Sequence, residues 1–149
     1  PINLLPGRLR GSSDGLAVEL PGLILPLPTS LREDRPGLAA HAGGEVIVGM
    51  RPENLFVADG DALGLAASVA FQEDLGASLL IHVDLIAAGE KQARAGLDEL
   101  DESAPASIST RMRISAPVSA RRKVGDVVKV GIEAGSLHFF DPVSQRALV

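Results

Sequence analysis

Three histidines, at 41, 82 and 138, are the first side chains to weigh for chemistry. They lie too far apart for a local metal motif, in which two ligands fall one helical turn apart or flank a tight loop. His82 does have a neighbour. In "SLLIHVDL" (78–85) the strand period of two places His82 and Asp84 on one face and Ile81, Val83 and Leu85 on the other. Such a pair could pass a proton or begin a metal site, and it is also an ordinary surface pair of a sheet. The acids of "DELDES" (98–103) lack the glycine-hinged spacing of a calcium loop. There are no cysteines, which excludes disulfides, thiolate zinc sites and a cysteine nucleophile. No G-x-x-x-x-G-K-[S/T] run occurs, so no phosphate-cradling loop is present. The sequence therefore assigns no catalytic residue, no metal ligand and no cofactor to these 149 residues.

The elements that would hold any site are short β-type runs punctuated by glycine and proline. "GLAVEL" (15–20) and "GLILPL" (22–27) flank Pro21-Gly22, a pair that suits a tight turn. Residues 29–44 read as a loop. "EVIVGM" (45–50), "LGLAASVAFQ" (63–72), "SLLIHVDL" (78–85), "SISTRMRISA" (107–116), "DVVKVGI" (126–132) and "LHFF" (137–140) read as strands, and 86–107 as a flexible loop. This spacing predicts an all-β antiparallel barrel or sandwich. Val46, Val48, Ile81, Val83, Val128 and Val130 are the expected core. Phe139 and Phe140 are consecutive, so they should face opposite sides of a strand.

Composition narrows the function classes. Apolar residues are 46% of the chain and charged ones 22%, an ordinary globular balance. No apolar run reaches the roughly 20 residues of a membrane helix. The net charge of -5 opposes general phosphate-backbone binding, and four phenylalanines with no tyrosine or tryptophan offer little for base stacking. Nucleic acid is thus not an expected partner. The chain starts with proline and without a leader pattern, which points to a piece of a longer protein.

Residues 43–59 repeat at 125–141. Gly43, Val46, Val48, Gly49, Leu55 and Asp59 recur as Gly125, Val128, Val130, Gly131, Leu137 and Asp141. Each copy reads strand, glycine, turn, leucine, short strand. Either two such units look alike by chance, or a β module is duplicated, as one shared barrel or two abutting ones. In the first copy Arg51 precedes proline and should be extended. Pro52 then sets the backbone of a tight turn over Arg51-Pro52-Glu53-Asn54. On local chemistry Arg51 and Glu53 are a solvated pair.

"INLLPG", "VGMRPENL" and "LHFFDPVSQRAL", in this order, together resemble the C-terminal regulatory domain of the ATPase subunits of bacterial carbohydrate importers of the ABC class. "VAFQEDLGASLLIHV" (69–83) is similar to a hairpin of that family, whose members serve maltose, glycerol-3-phosphate and trehalose-type substrates. The resemblance implies a duplicated antiparallel barrel of the oligonucleotide/oligosaccharide-binding (OB) type, of the TOBE/MOP-like kind, with long loops. It implies that 1–149 is one regulatory domain whose nucleotide-binding domain, with its ATP and magnesium, lies outside this chain. It implies a second copy of the subunit, its own nucleotide-binding domain, the membrane subunits and a regulatory protein as partners, on the cytoplasmic face of the membrane. Arg51, Pro52, Glu53, Phe140 and Asp141 are carried over as interdomain or dimer contacts. The stretch 89–123 is longer than the family's usual connection. A second reading is a module that binds an oxyanion or a phosphorylated sugar. "SAR" (119–121) is faintly similar to the anion motif of related molybdate-importer barrels, but lacks the asparagine that follows it there.

Overall fold

The alternating runs on either side of Pro21-Gly22 do form a hairpin, with Gly22 at φ 76 in the turn. In the computed structural model, which describes residues 2–12, 15–59, 61–86 and 111–149, ten strands form two five-stranded antiparallel sheets. The strands are β1 (Asn3–Ser12), β2 (Gly15–Leu20), β3 (Leu23–Pro26), β4 (Glu45–Met50), β5 (Leu55–Ala58), β6 (Leu65–Asp74), β7 (Ser78–Leu85), β8 (Arg111–Pro117), β9 (Val127–Ile132) and β10 (His138–Phe140). One sheet runs β10-β4-β1-β2-β3 and the other β5-β9-β6-β7-β8.

These two orders are the same fold written twice. Strands β1 to β4 correspond to β6 to β9, and each half lends its next strand to the other half's sheet. β5, which follows β4, pairs with β9, while β10, which follows β9, pairs with β4. The register repeats too: Val48 faces Phe139 in one sheet and Val130 faces Val57 in the other. Even the entry to the exchanged units is copied. Leu9 N–H donates to Gly44 O and Gly43 N–H to Leu9 O, at 3.0 and 2.8 Å; Val69 N–H donates to Asp126 O and Gly125 N–H to Val69 O, at 2.9 and 2.8 Å. Gly43 and Gly125 hold φ of 87 and 92, open to glycine at no steric cost. The duplication is therefore structural, and the all-β antiparallel reading stands.

The six expected core valines and isoleucine are each at most 2% exposed. Phe139 is buried and Phe140 half-buried, as opposite faces require. Among polar side chains Asn3 is nearly as buried. Its amide accepts from Arg113 N–H and donates to Arg113 O, both at 2.9 Å, and so ties β1 of one sheet to the free edge of β8 in the other.

Three expectations change. The stretch 29–44 is not a plain loop: α1 (Thr29–Asp34) and α2 (Pro36–Ala40) carry Leu31 and Leu38 into the core. Helices of six and five residues are too short to display a period, and Pro36-Gly37 reads as a turn although Pro36 opens α2. The N-terminal stretch, assigned to no element from the sequence, forms β1. Pro6 is tolerated because β2 joins β1 only from Arg8 onward, so the strand has a single neighbour at that point. The link after β6 is also shorter than expected, because the strand runs on to Asp74. The expected flexible loop at 86–107, beyond Ile86, and the start of the strand expected at 107 fall on residues 87–110, which lie outside the described ones.

Because each sheet borrows a strand, damage to one half should be felt by both. Phe139→Ala is expected to cost about 3–5 kcal/mol and Leu55→Ala about 2–5 kcal/mol. Each should shift one cooperative urea transition, and a second, separate transition would show that the sheets unfold independently.

Candidate functional site

The paired crossovers are the region to which most sequence-derived site residues belong. Arg51 is extended (φ -79, ψ 142), as a residue before proline should be. Pro52–Asn54 then form a 3₁₀ turn, closed by Asn54 N–H donating to Arg51 O at 3.0 Å. In the second copy Ala134–Ser136 do the same, with Ser136 N–H donating to Glu133 O at 3.0 Å and the Ser136 hydroxyl reinforcing it at 2.6 Å. Glu133 N–H points to Asn54 O at 3.4 Å, so the two turns meet. Arg51 and Glu53 are exposed and Pro52 is half-buried.

Phe140 and Asp141 lie at and just beyond the end of β10, the edge strand of the first sheet. The Phe140 ring and Ile2 cover Gly49, where an added Cβ would stand 3.0 Å from Phe140 Cε2 and 2.6 Å from Ile2 Cδ1. Asp141 is a turn cap. Its carboxylate accepts from Val143 N–H at 2.8 Å and more weakly from Ser144 N–H at 3.4 Å. Those backbone donors, Val143 first, hold its pKa below the usual 3.8. The turn carries the chain back, so that Ala147 bridges Phe140 and Leu148 N–H donates to Phe139 O at 2.8 Å. The closing Phe-Asp-Pro-x-Ser-x-x-Ala-Leu pattern thus builds a hook that covers the edge of β10.

The crossovers also gather residues that local spacing did not mark. His138 lies opposite Gly49 and is half-buried. Arg35, in the bend between α1 and α2, donates from Nη1 to Leu137 O at 2.6 Å. Burial, then the positive charges of Arg35 and Arg51, hold the His138 pKa below its ordinary 6.5. No sequence signal could join residues brought together by a long-range strand pairing.

The other candidates are committed to structure. His82 is largely buried and its Nε2 lies 2.7 Å from Glu73 Oε1, while Phe71 stacks on its ring at 4.0 Å. Arg111 lies over Phe71 and donates to both oxygens of Asp84, at 2.7 and 3.1 Å. His82 and Asp84 therefore do not form one site. In the "SAR" region Arg121 pairs with Asp74 at 3.0 Å and Arg122 with Asp59 at 2.9 Å. The Gln72 amide further fixes the backbone of Arg122. These arginines are already neutralised. Among the described residues no group of three or more His, Cys, Asp or Glu could hold a metal, and no helix is long and apolar enough to cross a membrane.

The cap at Asp141 has a pH signature. Its folded pKa is lowered, so its contribution is present above 3.8 and lost as pH falls through the folded value. Asp141→Asn should lower the urea midpoint at neutral pH, and its gap to the parent should shrink in acid below 3.8. An unchanged gap would show that the charge plays no part in the cap.

Comparison with known proteins agrees with this architecture. Residues 1–55 match the family model described as the MalK OB fold domain. The chain is 28% identical, over 141 residues and 95% of its length, to the sulfoquinovosyl glycerol transport ATP-binding protein SmoE of Agrobacterium fabrum. It spans 32% of the length of that relative. The fold is similar to that of the cytoplasmic molybdate-binding protein ModG, solved with molybdate bound. The TM-score is 0.57 and identity 15%, with 92% of this chain and 94% of that one covered. The expected likeness to the OB-type domain of a carbohydrate-importer ATPase subunit is borne out by the first two of these, and the OB-type fold by the third.

Proposed function

We propose that this chain is the C-terminal regulatory and dimer-forming domain of the ATP-binding subunit of a bacterial carbohydrate importer, and that it performs no chemistry of its own. The observation that carries the reading is the MalK OB fold match over residues 1–55, which takes in the first sheet up to β4 and the Arg51–Asn54 crossover. The likeness to a transport ATP-binding protein along 95% of the chain supports it.

The mechanism is mechanical. Two sheets that exchange strands and share the Asn3 clamp move as one body. A force applied at the exposed crossover, through Arg51 and Glu53, is then passed on without being absorbed by a hinge. Self-contact between two copies, and contact with the nucleotide-binding domain, would bias that ATPase between open and closed states by the difference in contact energy between them. ATP and magnesium would bind on that other domain. The assembly would sit on the cytoplasmic face of the membrane, held there by the transporter's membrane subunits, with a regulatory protein as a further partner.

Light scattering of this chain over a concentration series tests the self-contact. A concentration-dependent dimer is expected, and Arg51→Ala with Glu53→Ala should weaken it about tenfold or more if the turn lies in the interface. A strict monomer at the highest concentration would rule out self-association by this domain alone. A dimer indifferent to both substitutions would move the interface elsewhere.

A further inference from the structure

The two halves of the chain finish one of their ends in different ways. In the first half the β1–β2 hairpin and the residues after β3 meet there, with Leu27 N–H donating to Leu16 O at 2.9 Å. The link from β3 to β4, residues 27–44, then lays α1 and α2 over that end. Leu31 and Leu38 point inward and are 5% and 0% exposed. Helix α1 packs against β2, and a Cβ on Gly15 would stand 3.7 Å from Arg32 Nη1.

The second half brings its β6–β7 hairpin and the end of β8 to the corresponding place, with Ser78 paired to Pro117. Its link, residues 118–126, is half as long and holds only the 3₁₀ turn Val118–Ala120. Strands β3 and β8 correspond by register, since Leu25 faces Val18 as Met112 faces Val83. Counted from them, Val118 takes the place of Leu31. Leu31 is buried, whereas Val118 is 49% exposed. Of the turn's three residues Ala120 is the one that packs on the core. Leu75, at the apex of the β6–β7 hairpin, is 58% exposed, while the first hairpin reads Ser-Ser-Asp-Gly (12–15) at its apex.

Neither side chain is on a segment free to fold inward. Leu75 N–H donates to Ser78 O and Gly76 N–H to the Asp74 carboxylate, both at 2.9 Å, with Gly76 at φ 93. Arg121 pairs with Asp74 at 3.0 Å, and the Gln72 side chain accepts from Arg122 N–H at 2.9 Å. The link that carries Val118 is therefore tied to the hairpin that carries Leu75. A single exposed leucine needs no explanation. Here two large apolar side chains are held out together, at the place where the duplicate buries its own under helices.

We propose that this end of the second half, around Leu75 and Val118, docks an amphipathic helix of a separate protein, which lies there as α1 and α2 lie over the first half. The duplication names the occupant. The same fold, at the same end, is covered by a helical segment with leucines on its inner face. A partner helix of that kind sets its leucines against Leu75 and Val118 and keeps its polar face in water. Because the hairpin and the link are braced before binding, little ordering is lost when the helix docks. The surface does not depend on self-contact between two copies of the chain.

The test is an NMR titration of this chain with a synthetic peptide of about 16 residues, long enough to be helical, with leucines on one face and Glu, Lys and Ala elsewhere. A scrambled peptide of the same composition is the control. The expected result is saturable shifts of the Leu75 and Val118 methyl resonances with the amphipathic peptide and none with the scrambled one. Leu75→Ser with Val118→Ser should weaken binding about tenfold or more. The urea midpoint of that variant should match the parent's, because both side chains are exposed. Ile24→Ser, at an exposed apolar position of the first sheet, should bind as the parent does. Absence of saturable binding would overturn the proposal, as would equal binding of the scrambled peptide or equal affinity of the double variant and the parent. Light scattering of both proteins separates the occupants. A dimer lost on the double substitution would show that a second copy covers this end, and would also overturn the proposal. A monomeric parent that binds the peptide would refute self-contact by this domain and support the docking surface.

Discussion

The exchange of β5 and β10 between the two sheets is the constraint on which the rest of this structure depends. Neither half can complete its sheet with its own strands. β4 presents one edge to β1, and its other edge would stand open without the C-terminal strand. β9 meets the same difficulty and is closed by a strand from before the midpoint of the chain. Backbone groups at those edges would otherwise lack partners, and Val48 and Val130 would lose the side chains that face them. One consequence is that the conspicuous sequence repeat marks the seam between two modules and not the body of either.

The seam explains the glycines as well. Where strands cross from one sheet to the other, a side chain from the incoming segment must lie flat over the sheet. Gly49 and Gly131 leave room for it, and a Cβ at either would meet Phe140 and Ile2 or Phe56. The turns that follow are held differently, with Pro52 setting the backbone in one copy and a hydroxyl from Ser136 tying it in the other. Two different local solutions thus serve one geometry.

Charge is distributed with the same logic. Several arginines are met by carboxylates, as with Arg111 and Asp84 across a strand pair or Arg121 and Asp74. Exposed pairs of this kind add little stability, but they silence a surface that would otherwise attract anions.

Much of this could be read from residue order. Alternation fixed which faces of 45–50, 78–85 and 126–132 are buried, because a period of two allows only one choice of face. Proline and glycine placed the Pro21-Gly22 hairpin and the Arg51–Asn54 turn, since their backbone limits are local. The repeat at 43–59 and 125–141 announced duplication, and the absence of cysteine and of a phosphate loop removed whole classes of chemistry. Residue order did not say which strands pair. It could not distinguish two self-contained barrels from two that trade strands, because register is settled by partners distant in the chain. For the same reason it missed β1, whose proline is harmless only where one neighbour is absent, and the helices that bury Leu31 and Leu38. It also dispersed His82 and Asp84 from Glu73, Phe71 and Arg111, and left Arg35 and His138 unconnected. Local backbone preference lies within the sequence by itself. Which side chains meet depends on the exchange of strands, and only the tertiary structure decides that.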